Sequence, residues 1–152
     1  MDWTVAAAYA FVRTVHGGQV DPLGQPLLTH LEAVRERVAQ MGGEQVDEVA
    51  ALLHHVVTDG AVTLAELALR EVPARALAIV DALTPRAGES EDDQVRRVMG
   101  TPGAVRVLRA DLAHQLHPDQ MSCASPRQRE RTLHRCCRVL AELDKDLELT
   151  FS

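Results

Sequence analysis

No stretch of this chain alternates apolar and polar residues, and glycine and proline recur often enough to keep every uninterrupted segment short. The apolar residues inside those segments return every three or four positions, which is the period of a helix and not of a half-buried strand. The aromatic content of 3% is low for a sandwich or barrel, and alanine, leucine, valine, glutamate and arginine fill the segments instead. The chain is therefore expected to be all-α, a compact bundle of about seven or eight helices. Its 152 residues suit a single domain spanning 1–152.

The punctuation places the helices. Asp2 is expected to cap a first helix that runs to about His16, where Gly17 and Gly18 stop it. A loop around Asp21-Pro22, Gly24 and Pro26 follows. Thr29 is a candidate cap for a helix from His30 to Met41. A third is expected from Gln45 to Val57, with Val46, Val49, Ala50, Leu53 and Val57 on one stripe and His54 and His55 inside it. Thr63 with Glu66 reads as a capping box, Pro73 opens a helix to Leu83, and Ser90 with Asp93 starts a weaker one. Pro102 opens another to Leu116, which Pro118 ends, and Ser125-Pro126 starts the last, Arg127 to Leu149.

Charge narrows the partners. Sixteen basic against 22 acidic residues leave a net charge of -6, which disfavours general binding to nucleic acid or an anionic membrane. One small phosphorylated nucleotide in a local basic pocket is compatible with it. No apolar run approaches the roughly 20 residues of a membrane span. The start, Met1-Asp2-Trp3, lacks the basic region of a signal peptide, and three cysteines cannot pair completely, so a cytoplasmic location is expected.

Three segments carry potential metal ligands on otherwise apolar helices: Pro26 to His30, Ala50 to Asp59, and Arg109 to His114. Imidazole and carboxylate together suit Zn²⁺, Mn²⁺ or Fe²⁺. His54 and His55 would stand about 100° apart on a helix, so both ligate only if an ion sits astride their shared edge. Bland readings stand beside this one. Each histidine can be a hydrogen-bonded core residue, Asp59 can cap the turn at Gly60, and Asp111 can pair with Arg106 or Arg109. His114 and His117 read as one exposed polar turn. His134-Arg-Cys-Cys137 with Cys123 offers a zinc reading, and Cys136 and Cys137 read more simply as small buried residues. The arginines from Arg127 to Arg138 read as a solvated face.

The order of motifs resembles a known family. Ala8-Tyr-Ala-Phe11, His16-Gly-Gly-Gln19, Gly24-Gln-Pro26, Thr29-His30, Ala50-Ala-Leu-Leu-His54, Thr63 with Glu66-Leu67, Val80-Asp-Ala-Leu-Thr84, Thr101-Pro-Gly-Ala104 and Ala110-Asp111 follow one another as in the HD-type hydrolase domain of the RelA/SpoT family. The likeness covers about residues 5 to 143 and is closest in size to the small stand-alone form, the metazoan SpoT homologue type. It implies an α-helical bundle around one divalent ion, usually Mn²⁺. The implied activity is hydrolytic removal of pyrophosphate from the 3′ position of guanosine tetra- or pentaphosphate. Some small members also act on nicotinamide dinucleotide phosphates.

Carried over residue by residue, the resemblance implies metal ligands at His30, His54, His55 and Asp111, their ligand atoms within about 5 Å of a common point. His55 stands where the family has the aspartate of its His-Asp pair. A first shell of three imidazoles and one carboxylate is less negative and leans toward Zn²⁺ or Fe²⁺. The family's Glu-Asp pair falls on Thr58 and Asp59, the candidate catalytic residues. Thr58 cannot exchange protons near neutral pH, a loss of typically about 10²- to 10⁴-fold. The substrate-binding positions fall on His16, Gln19 and Asp21, with Arg106 or Arg109 replacing a lysine that here is Leu108. Asp21 replaces an arginine, and Glu89 to Asp93 replaces a basic run, so negative charge is expected near the substrate's phosphates. The expectation is a divergent phosphohydrolase with weak or lost guanosine polyphosphate hydrolysis, or an inactive pseudoenzyme that binds a nucleotide or regulates.

Overall fold

A computed structural model describes residues 2–151, with side chains through Lys145; Met1, Ser152 and the later side chains lie outside it. The described residues form nine helices and no strand, apart from one isolated bridge between Val20 and Pro26. They are α1 Val5–His16, α2 Leu27–Gln40, α3 Gln45–Leu53, α4 Leu64–Leu69 and α5 Ala74–Leu83, followed by α6 Glu91–Met99, α7 Ala104–Gln115, α8 Pro118–Ser122 and α9 Pro126–Phe151. No helix among the described residues is long and apolar enough to cross a membrane.

The all-α expectation is met, and several boundaries move for physical reasons. Thr4, not Asp2, caps α1: its Oγ1 accepts the Ala7 N–H at 3.1 Å. The second helix begins before Thr29, at Leu27, because Pro26 is tied back by the bridge to Val20 and the Leu27 N–H donates to the Gln19 carbonyl. Pro73 and Pro102 lie just before their helices and not inside them. Pro118 ends α7 as expected but also opens α8, the helix missing from the expected set. There the His117 ring accepts the Asp119 N–H at 3.2 Å. Ser125 and Gln128 cap α9 reciprocally, each side chain accepting the other's backbone N–H.

The largest shift concerns α3. The stripe continues to Val57 in the sequence, but the helix stops at Leu53, and residues 54–60 run as successive turns. Val49 to Leu53 are fully buried, so α3 is the central rod of the bundle, with α1, α2, α5 and α7 packed around it. A second apolar cluster of Val95, Leu112, Cys136, Val139 and Leu143 fastens α9 to α6 and α7. Cys136 is buried as expected. Cys137 is exposed, because the next position along a helix turns away from the face that packs.

Asp47 has no exposure and binds the bundle together. It accepts the Glu44 N–H at 3.0 Å in the box that starts α3, and receives Arg75 of α5 at 3.1 Å and Arg106 of α7 at 3.5 Å. A buried carboxylate is tolerated when it is charge-paired and hydrogen-bonded in this way.

Candidate metal centre

Three elements that are distant in sequence converge beside α3. His30 comes from the first turn of α2, His54 and His55 from the turn that ends α3, and Asp111 from the middle of α7. One ligand atom from each of the four lies within 4.8 Å of every other. This group is the only cluster of three or more such side chains among the described residues that could hold a metal ion. The early end of α3 makes it possible. In the turn, the rings of His54 and His55 lie with centroids 4.3 Å apart, and the His30 ring is 6.1 and 5.5 Å from them.

The donor atoms are prepared. The His54 Nδ1–H donates to the Ala51 carbonyl, which can only accept, so in the neutral ring Nε2 carries the lone pair. That Nε2 is buried without a hydrogen-bond partner and stands 3.6 Å from Asp111 Oδ2. His55 Nε2 is likewise buried and unpartnered. Orphaned buried nitrogens are costly, and a cation at their meeting point would satisfy both. The residues present therefore fit a divalent ion.

Asp111 Oδ1 receives His30 Nε2 at 2.9 Å and Gln115 Nε2 at 3.2 Å. Burial pushes the Asp111 carboxyl up, but the His30 hydrogen bond and the positive charge that His54 and His30 can carry outweigh it and hold the group well below its usual range. Burial also works against a charged His54, yet Asp111 beside it leaves that pKa raised. Asp111 acts on His55 in the same direction but is outweighed. Burial, then repulsion from His54, lowers it to about 3, so it is neutral at physiological pH and ready to ligate.

The centre opens on a cavity of ≈ 590 Å³, within the range of ligand pockets. His30, His55, Thr58 and Asp59 are among the residues that line it. Gln19 links two of the expected site residues. Its Nε2 donates to Asp59 Oδ2 at 3.0 Å, which leaves Oε1 to accept the His16 Nδ1–H at 2.9 Å. His16 is buried beneath this chain, and its Nε2 has no partner. Asp59 is thus a held carboxylate at the cavity wall, not merely a cap for Gly60.

The remaining expected substrate residues fall elsewhere or play another part. Asp21 lines the cavity, but its Oδ1 accepts the N–H groups of Leu23 and Gln25 at 2.9 and 3.0 Å, so it builds its own loop. Arg106 and Arg109 do not line the cavity. Arg106 reaches Asp47, and Arg109 reaches Asp144 of α9 at 2.8 Å. The alternative pairing of either with Asp111 does not occur. The acidic run is also remote: Glu89 pairs with Arg97 at 2.6 Å, Asp93 with Arg96, and Glu91 with Arg138.

The cations that do face the cavity are Arg131 and Arg135 of α9, with Gln128 and Thr132 beside them. Positions 128, 131, 132 and 135 share one helix face, a spacing legible in the sequence but hidden within a run of arginines. Arg135 donates to Gln115 Oε1, so one amide connects the cavity's cation to Asp111. His114 does not form an exposed polar turn with His117. It is buried, and its Nδ1 lies 2.7 Å from His30 Nδ1. The alternative zinc reading around His134 finds no support: Cys136 is buried in the α9 cluster, while Cys123 and Cys137 are exposed.

No protein-family profile matches the chain, and no curated protein is similar to it.

Proposed function

We propose that this chain is a divergent metal-dependent phosphohydrolase of the HD type, acting on a small phosphorylated nucleotide or related phosphoester, with little or no hydrolysis of guanosine polyphosphates. The observation that carries the reading is the set of four converging ligands, two of which, His30 and His55, line a cavity that also bears Arg131 and Arg135. A divalent ion there would supply Lewis acidity and a bound water of lowered pKa. Three imidazoles favour Zn²⁺ or Fe²⁺, while the family resemblance favours Mn²⁺.

The chain's own residues fill the other roles. Asp59, oriented by Gln19, accepts a proton at the cavity wall. Arg131 and Arg135 neutralise phosphate oxygens. Leu23, Leu27 and Met121 give the cavity an apolar side for the rest of the ligand. Thr58 can hydrogen-bond but cannot exchange protons near neutral pH, and this favours a second reading, a pseudoenzyme that binds its ligand without turnover.

The test is phosphate and pyrophosphate release from a panel of phosphoesters with Mn²⁺ or Zn²⁺. We expect turnover on a phosphoester other than guanosine tetraphosphate, with Arg131→Ala raising KM. Turnover of guanosine tetraphosphate at typical enzyme rates of about 1–10³ per second would overturn the divergent assignment. Ligand binding with no turnover on any compound would favour the second reading.

A further inference from the structure

His114 belongs to none of the roles above, yet it touches the centre from behind. We propose that His114 is a positioning residue that fixes the ring orientation and tautomer of His30, and that α7 thereby supplies both one ligand and the support of another. The inference rests on the metal-centre reading and goes beyond it.

His114 lies one helical turn after Asp111 on α7, so both side chains point from the same face toward α2. Asp111 meets His30 Nε2 and His114 meets His30 Nδ1, so one helix face grips both nitrogens of one imidazole. The two rings lie with centroids 4.9 Å apart and tilted by 38°. A nitrogen–nitrogen contact of 2.7 Å needs one donor and one acceptor.

That requirement constrains the pair. When His30 Nε2 gives its lone pair to an ion, the neutral ring must carry its proton on Nδ1. The partner for that proton is His114 Nδ1, which must then present a lone pair and hold its own proton on Nε2. His114 is 8% exposed and stands between the His30 ring and a hollow that it lines with Thr29 and Arg37. A side chain without an acceptor at position 114 would leave the His30 Nδ1–H without a fixed partner whenever the ion is bound. Outer partners of this kind typically change metal affinity by about 10- to 100-fold.

The test measures Mn²⁺ and Zn²⁺ affinity by titration for the full chain, His114→Ala, His114→Asn and Leu112→Ala. Leu112 is also buried on α7 but faces the α9 cluster, so it reports general loosening of the helix. We expect about 10- to 100-fold weaker binding in His114→Ala, partial recovery in His114→Asn through its amide oxygen, and little change in Leu112→Ala. Nitrogen-15 spectra of the Zn²⁺-loaded native chain should show the His30 proton on Nδ1, hydrogen-bonded to a second ring. This reading stands even if His114→Ala fails to fold. Equal affinity in native and His114→Ala protein, equal losses in Leu112→Ala and His114→Ala, or a His30 Nδ1 proton bonded elsewhere would each overturn the positioning role and leave the metal centre standing. A native chain that binds neither ion would overturn both.

Discussion

His55 most clearly separates this centre from the His-Asp pair of the HD type proposed above. Its Nε2 faces the other ligands, buried and unpaired, and its low pKa keeps it neutral. A carboxylate there would be a harder donor, so His55→Asp is expected to move preference from Zn²⁺ toward Mn²⁺ in a competition titration. Unchanged preference would place His55 outside the coordination shell. The same residue sets the acid stability of the metal-free protein. The His55 pKa is lowered to about 3 by burial and then by His54, and that of His114 to about 4 by burial and then by His30. In the unfolded chain both return to about 6.5, so between pH 6.5 and 4 the unfolded state binds more protons and stability falls as the pH falls. His54, whose folded pKa is raised, is charged in both states below 6.5 and adds no slope there. Denaturant midpoints in chelator should therefore drop steadily from pH 6.5 to 4. A flat profile would mean that His55 and His114 are not buried as neutral rings.

Among the elements, α7 carries the most: Asp111 and His114 on one face, Arg106 toward Asp47, and Leu112 in the second cluster. Its start is correspondingly tight. Gly103 has φ +86°, and a Cβ there would lie 2.7 Å from Asp47 Oδ1 and 2.9 Å from Ile79 Cδ1. Gly60 also has positive φ, at +76°, but open space around it. Gly103→Ala should cost more than the roughly 1–2 kcal/mol of left-handed backbone that Gly60→Ala incurs. At about 2–4 °C per kcal/mol for a chain this size, the gap should be visible in thermal unfolding. Equal melting shifts would show that Asp47 and Ile79 yield freely. The helices themselves were largely legible because their caps are local: Thr63 and Ser90 sit where the sequence places them. The early end of α3 was not, because its apolar stripe runs on through Val56 and Val57, which the turn also buries or half-buries. Periodicity alone cannot tell a continuing helix from a turn that keeps packing.

At the scale of the whole molecule, the ligands that the family resemblance named do converge, whereas spacing alone left the same histidines open to a core reading. The cavity's cations were not foreseen because they depend on how α9 folds back over α7. That return is fixed by Leu112, Cys136 and Val139, far from any motif. Arg106 and Arg109 were expected near the ligand because they adjoin Asp111 in sequence. On a helix, positions two and five before Asp111 point to other faces, and there they meet Asp47 and Asp144. The acidic run fails for the same kind of reason, since α6 packs against α5, α7 and α9 and Glu89, Glu91 and Asp93 are paired with arginines.

The central claim is that these four side chains hold one divalent ion, and metal content measures it directly. Purified protein, stripped with chelator and then titrated with Zn²⁺ or Mn²⁺, should take up one ion per chain. Excess ion at about 100 times its Kd should add about 2.7 kcal/mol of stability. His54→Ala and Asp111→Asn should each abolish that uptake while keeping the helical spectrum of the native chain. Absence of stoichiometric uptake by the native protein, or uptake that survives both substitutions, would contradict the account.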